Sequence, residues 1–438
     1  MSDTPRAAGF AFFAAACTAV AAHAQPARPA AAADTGVVPG VEVLLRDSLH
    51  LLRGKRVGLI TNPTGRDRAG TSTADLLARA PGVRLTALFG PEHGIRGTAA
   101  AGAHVASSVD SATGVPIYSL YGATRAPTRA MLRDVDVLVY DIQDVGARVY
   151  TYEWTMALAA AAADSAGVPF VVLDRPDPVR ADRVEGGVLD PRFASFVGQY
   201  PVAMRYGLTP GELLRYLAGT GRVPVSHLTV VPMRGYRRAM WYADTRLPRV
   251  NPSPNLRSTD AELLYTGTVL FEGTNVSEGR GTDEPFALVG APWLADAPAL
   301  AAALNARAAH DSTLGGVRFE AVTRAVAPGT EKFGGQTVPM LRVVVTDRDR
   351  VRPDAVGLWL LRAVYAGHPR EFVWRVGHAD RLAGSDRLRR AIEAGDDAVA
   401  ALLARYAVEA RAFEREAKKF WMYGDGVAFP TPPSSNSP

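Results

Sequence analysis

The sequence predicts an α/β fold: a parallel sheet covered on both faces by helices, followed by a smaller C-terminal α/β domain. Three observations carry this. Arg56 to Thr61 (RVGLIT), Val135 to Asp141 (VDVLVYD) and Phe170 to Asp174 (FVVLD) are continuous apolar runs of strand length, the pattern of strands buried on both faces. Helical stretches separate them, as crossover connections between parallel strands require. From about Pro298 the texture changes to a helix, two strands and three further helices.

The elements follow in order. The strand Arg56 to Thr61 ends in the turn Asn62-Pro63-Thr64-Gly65. Thr73 to Ala80 is a short helix and Val83 to Phe89 the next strand. Tyr152 to Ala166 is a long Ala-rich helix. Thr209 to Ala218 opens with Thr209 as N-cap, Pro210 in the first turn and Glu212 three residues on, a capping box. Arg234 to Asn255 is aromatic and Pro-rich and reads as irregular, and Val269 to Asp283 is Gly-rich. In the C-terminal part, Val317 to Val322 and Thr337 to Thr346 read as strands, and Asp354 to Ala366, Asp386 to Ala394 and Ala398 to Lys418 as helices.

The 438 residues suit two domains. Hydrophobic content of 47% and charged content of 21% are those of a globular protein with a sizeable core. The net charge of +5 comes with arginines scattered among acids, in no long basic run, which argues against nucleic-acid binding. Cys17 is the only cysteine, so no intramolecular disulfide forms. It lies in Ala7 to Ala24 (AAGFAFFAAACTAVAAHA), which follows Arg6 and ends in Ala22-His23-Ala24. That is the pattern of a signal peptide with an A-x-A cleavage site. Lipoprotein processing at Cys17 and a retained anchor are the alternatives. No other stretch reaches the roughly 18 apolar residues of a membrane span. The expectation is an exported protein, periplasmic or secreted, with lipidation at Cys17 left open and no stable membrane span in the mature chain.

In parallel α/β sheets ligands lie beyond the carboxyl ends of the strands. Asn62 follows the first strand. Glu92, His93 and Arg96 follow the second, past Gly90-Pro91. Asp141, Gln143, Asp144 and Arg148 follow the next, and Asp174-Arg175-Pro176-Asp177 the one after. Any one of these could be a loop polar residue or a helix cap. Glu92 and the Asp141/Gln143/Asp144 group place more charge there than caps need. No G-x-S-x-G elbow, P-loop, strand-following G-x-G-x-x-G or H-E-x-x-H motif occurs, which argues against a serine hydrolase, a nucleotide cofactor and a zinc peptidase. What remains is carboxylates, with Glu272, Asn275 and Arg280 in the Gly-rich segment, a set suited to general acid/base work on a sugar or ester.

The motifs GLITNPTG, LFGPEHGIRG, DVLVYDIQDVGARVYTY, VLDRPDP with VEGGVLD, QYPVAMRYGLTPGEL, LPRVNPSPNL and FEGTNVSEGRGTDEPF, in that order, closely resemble the exo-β-N-acetylmuramidase family of glycoside hydrolases, from about Gly40 to Tyr423. The resemblance implies release of N-acetylmuramic acid from the non-reducing end of peptidoglycan fragments, without a cofactor. It also implies a Rossmann-like catalytic domain over 39–290 joined to a smaller α/β domain over 291–425. The signal peptide (1–24), an Ala/Pro-rich linker (25–38) and a Pro/Ser-rich tail expected to be disordered (426–438) are read from composition. The resemblance makes Glu92 the catalytic acid. Asp141, Asp144 and Glu272 compete for the opposing carboxylate, about 5–5.5 Å away for a retaining and 6.5–9.5 Å for an inverting mechanism. His93 would orient Glu92. Arg96, Arg148 and Arg280 are candidate anchors for the sugar's carboxylate, Asn275 a candidate partner of its acetamido group, and Gln143 and Asp144 candidate pocket residues. A non-catalytic binder of cell-wall sugars and a metal-assisted hydrolase are the alternatives.

Overall fold

The computed structural model describes Met1 and residues 36–92, 94, 95 and 108–424. All that follows concerns the unit that begins at Gly36. The signal-peptide and tail readings, His93 and Arg96 lie outside the described residues.

Seven strands make the main sheet: β1 (Arg56–Thr61), β2 (Arg84–Gly90), β3 (Ser108–Val109), β4 (Pro116–Ser119), β5 (Val137–Asp141), β6 (Phe170–Leu173) and β7 (Leu228–Val231). Their order is β3-β4-β2-β1-β5-β6-β7. All neighbours are parallel except β3, which runs antiparallel to β4. Alternate residues bury on opposite faces, as the pleat dictates. Leu59, Val137, Val139, Val171 and Leu173 pack with α1 (Gly40–Val43) and α2 (Thr73–Arg79). Ile60, Leu138, Tyr140, Phe170 and Val172 pack on the other face with α3 (Tyr152–Ser165) and α4 (Pro210–Gly219). Two apolar faces explain why the central strands read as unbroken hydrophobic runs. The edge strand β7, only partly buried, does not.

The capping box of α4 forms as expected. Thr209 accepts from the Glu212 backbone N–H, and the Glu212 carboxylate accepts from that of Thr209. Asp174, at the end of β6, accepts from Thr209 Oγ1 (2.7 Å), the Gly211 N–H (2.8 Å) and Tyr423 Oη (2.6 Å). It is therefore a helix-end acceptor that also ties down the C-terminal chain.

The smaller sheet is antiparallel, in the order β8 (Leu288–Gly290), β10 (Thr337–Val345), β9 (Val317–Ala325). One of its two edge strands, β8, comes from chain ahead of residue 291. Around it lie α5 (Thr259–Thr268), α6 (Ala297–Ala308), α7 (Pro353–Gly367), α8 (Val376–Ala383), α9 (Arg387–Ala394) and α10 (Asp396–Ala417). One apolar cluster runs from Ile60 and Tyr140 through Trp154, Leu263 and Trp359 to Leu341, so both sheets share a core. Helices α5 and α7 meet at Gly267 and Gly357, where a Cβ on either would overlap the other helix's backbone. Among the described residues no helix is long and apolar enough to cross a membrane.

Candidate active site

Glu92 stands just past the end of β2, half-buried, in a turn that Gly94 completes with a φ of +72°. That conformation suits glycine, which lacks the Cβ that crowds the left-handed region. Thr151 Oγ1 donates to Glu92 Oε2 at 3.5 Å. Tyr152 Oη lies 3.4 Å from the Glu92 carbonyl oxygen and donates to that of Pro252 at 3.0 Å. The Tyr121 hydroxyl, just past β4, also hydrogen-bonds Glu92. Burial together with the Glu92 charge pushes that phenol up to about 12, so Tyr121 remains a donor throughout the neutral range.

A chain of buried tyrosines starts from Tyr152, which touches Glu92. Tyr150 meets Tyr152 edge-on at 4.8 Å and Tyr265 at 6.0 Å. The Tyr265 hydroxyl is pushed far above its ordinary value, first by burial, then by the charge of Glu272, with Glu92 and Asp144 adding to the effect and Arg280 opposing it. Tyr265 thus stands within the field of both Glu92 and the Glu272–Arg280 pair.

Glu272 lies on the single turn of 3₁₀-helix that follows α5 (Val269–Gly273). Arg280 Nη2 donates to its Oε1 at 2.6 Å, and His378 Nε2 of α8 stands 3.9 Å from its Oε2. Burial pushes the Glu272 carboxyl up, but His378 and Arg280 outweigh it and hold the group below its ordinary value. Glu272 is therefore ionised at neutral pH. The Arg280 guanidinium also reaches Glu278 Oε1 at 3.1 Å and lies 5.0 Å from the centre of the Phe286 ring. Glu278 is secured from its other side by Lys332 at 2.8 Å.

Other residues singled out from the sequence belong to the frame. Asp141 is fully buried in a two-pronged pair with Arg175 (2.5 and 2.9 Å), and Thr73 Oγ1 donates to the same carboxylate. Both oxygens are occupied, so Asp141 is a structural ion-pair partner and not a group that reaches a sugar. Gln143 spends its Nε2 on the carbonyls of Asp144 (2.9 Å) and Pro176 (2.6 Å). Asp144 accepts from the Gly146 N–H (2.8 Å) and from Tyr206 Oη, and burial pushes its carboxyl up to about 7. Arg148 is buried and donates to the carbonyls of Gly187, Val202 and Leu382, so it is not available as a substrate anchor. Asn275 clips the loop after α7 by pairing with the Glu371 carbonyl and the Val373 N–H. Asp141 neutralises the buried Arg175 guanidinium. The other four share one physical reason. Tight turns at the carboxyl edge of a sheet leave backbone groups without ladder partners, and nearby polar side chains satisfy them.

Sequence reasoning passed over Tyr121, Thr151, Tyr152, Tyr265 and His378. Thr151 and Tyr152 lie inside the motif that follows β5, where the charged residues drew the attention. Tyr265 and His378 lie on α5 and α8, helices that the hydrophobic pattern did not reveal.

Family models describing the exo-β-N-acetylmuramidase NamZ match almost the whole of the described chain, the N-terminal model at residues 57–260 and the C-terminal model at residues 263–423. The peptidoglycan β-N-acetylmuramidase NamZ of Bacillus subtilis (strain 168) is 43% identical over 408 residues, covering 93% of this chain and 96% of that protein. Two crystal structures of DUF1343 family proteins from Bacteroides fragilis NCTC 9343 superpose on the chain. One has a TM-score of 0.80 at 35% identity, covering 88% of this chain and 99% of that one. The other has a TM-score of 0.70 at 30% identity, covering 90% and 100%.

Proposed function

The chain belongs to the exo-β-N-acetylmuramidase family, and on that premise we propose how its residues divide the work of an exo-acting glycoside hydrolase that releases N-acetylmuramic acid from the non-reducing end of peptidoglycan fragments. Glycosidic cleavage needs a proton for the departing oxygen and a carboxylate for the oxocarbenium-like centre or the attacking water. Glu92 is the proton donor, oriented by Tyr121 and Thr151. Glu272 is the opposing group, kept ionised by His378 and Arg280. The observation that carries this division is the setting of Glu272: a partly exposed carboxylate paired with Arg280 at 2.6 Å and with His378 3.9 Å away. Asp141 and Asp144, the rival choices for the second carboxylate, have no exposed oxygen to offer a sugar. The test is release of free N-acetylmuramic acid by Glu92→Gln and Glu272→Gln variants. Both should lose nearly all turnover while keeping the wild-type fold, and full activity in either removes that residue from its role.

The substrate polymer lies outside the cytoplasm, and the apolar stretch Ala7 to Ala24 ends in a small-residue cleavage pattern. The reading that follows is export with cleavage after Ala24. A mass measured on the exported protein is expected to begin at Gln25, and a lipid-modified chain beginning at Cys17 would replace that reading with an anchored form.

A further inference from the structure

Muramic acid differs from the other amino sugar of the glycan by a lactyl ether, and so by one carboxylate. A site that selects it needs a cation that is not already neutralised. Arg280 is shared by Glu272 and Glu278, Arg175 is spent on Asp141, and Arg148 is buried against carbonyls. Arg125, in the connection between β4 and β5, differs from all of these. Its side chain is exposed, and among the described residues it has no carboxylate partner. Its guanidinium carbon lies 4.4 Å from the centre of the Phe196 ring. Phe196 in turn packs against Tyr121, with ring centres 6.5 Å apart. An aromatic shelf of this kind holds a guanidinium in place without neutralising it, leaving its N–H edge free for a two-point contact with a carboxylate.

We propose that Arg125, resting on Phe196 next to the Tyr121 side chain that bonds Glu92, is the residue that recognises the sugar's lactyl carboxylate and so sets the preference for muramic acid. This rests on the exo-muramidase reading above. The geometry fits the substrate. The scissile oxygen is on C1 and the lactyl ether on C3, so the carboxylate reader must stand to one side of the proton donor and not beside it. Tyr121 links the two: its hydroxyl bonds Glu92, and its ring packs 6.5 Å from the Phe196 ring on which Arg125 rests at 4.4 Å.

The experiment compares binding of free N-acetylmuramic acid with its carboxyl methyl ester by calorimetry, in wild-type protein, Arg125→Ala and Arg125→Lys. It is paired with kcat and KM on a chromogenic muramic acid glycoside. Loss of a charge-assisted pair is expected to lower affinity roughly ten- to a hundredfold. Wild-type protein should therefore prefer the free acid by that factor, and Arg125→Ala should bring acid and ester close to parity. KM should rise far more than kcat falls, and Arg125→Lys should lie between. A Phe196→Leu variant, which removes the shelf and keeps the cation, should weaken the same preference. Undiminished preference in Arg125→Ala, or none in the wild-type protein, overturns the proposal. The two readings fail separately. Hydrolysis of the glycoside with a preference that ignores Arg125 removes the subsite alone. An Arg125-dependent preference in a protein that hydrolyses no muramic acid glycoside removes the activity alone.

Discussion

Arg280 donates to Glu272 at 2.6 Å, and the same guanidinium reaches Glu278 at 3.1 Å. One cation therefore secures the carboxylate assigned to face Glu92 and joins it to the Gly-rich segment that carries both. Replacing Arg280 with Gln removes one of the two groups that hold Glu272 below its ordinary value, and burial then acts with less opposition. A carboxylate that must be ionised protonates at higher pH once its cation is gone. The acidic limb of the kcat/KM profile should move to higher pH, with activity lost first at acid pH. Stability follows the same sign. The contribution of a depressed carboxyl is present above its unfolded value of about 4.3 and fades as pH falls through the folded value, so the variant should lose stability at neutral pH and little in strong acid. Profiles of wild-type and variant with coincident acidic limbs would show that Arg280 does not tune Glu272.

Tyr121 is the hydroxyl that lines up Glu92. Tyr121→Phe keeps the ring contact with Phe196 and deletes one hydrogen bond to a charged group, worth about 1.5–3 kcal/mol. The expected result is a kcat about ten- to a hundredfold lower with KM little changed, since the ring that supports the substrate side remains. A variant with unaltered kcat would remove Tyr121 from the catalytic step.

Asp141 is assigned to the frame, and stability is the property that should report it. Asp141→Asn leaves the buried Arg175 guanidinium without its counter-charge, which costs about 3–5 kcal/mol when one partner of a buried pair is lost. Chemical denaturation should show that loss, while turnover per folded molecule at low temperature stays near wild type. Full stability with abolished turnover would return Asp141 to the reaction centre.

The sheet was readable from the sequence wherever physics leaves a strong local mark. Arg56–Thr61 is a strand buried beyond its first residue, so Val57 to Ile60 carry no polar side chain. Thr209, Pro210 and Glu212 announce their helix because the cap must satisfy the same backbone N–H groups in any protein. Pro116–Ser119 and Leu228–Val231 are only partly buried and leave no such mark, whereas Phe170–Leu173, equally short, is buried throughout and does. The helix Thr259–Thr268 hid because it is buried nearly all round, which erases the 3.6-residue alternation. The sequence marks Glu92, where a carboxylate follows an apolar strand through a Gly-Pro turn, and the fold leaves that residue half-buried beside Thr151. The site was misread at Asp141 and Arg148. Whether a charge at a strand end faces solvent or a buried partner depends on what the rest of the fold brings to it. Arg175 arrives from the neighbouring strand end, and the carbonyl of Leu382 from 234 residues further along the chain. Tyr121, Phe196 and Arg125 come together from two separate connections, with no spacing to betray them.

The central claim is that Glu92 delivers the proton to the departing glycosidic oxygen, and the most direct measurement varies the leaving group. In wild-type protein, muramic acid glycosides with good and poor leaving groups should differ little in rate, because protonation levels them. Glu92→Gln should leave the reactive aryl glycoside partly cleavable and reduce hydrolysis of the natural disaccharide by several powers of ten, opening a steep dependence on leaving-group acidity. An equal loss on both substrates, or no loss on the disaccharide, would contradict the assignment of Glu92 as the acid.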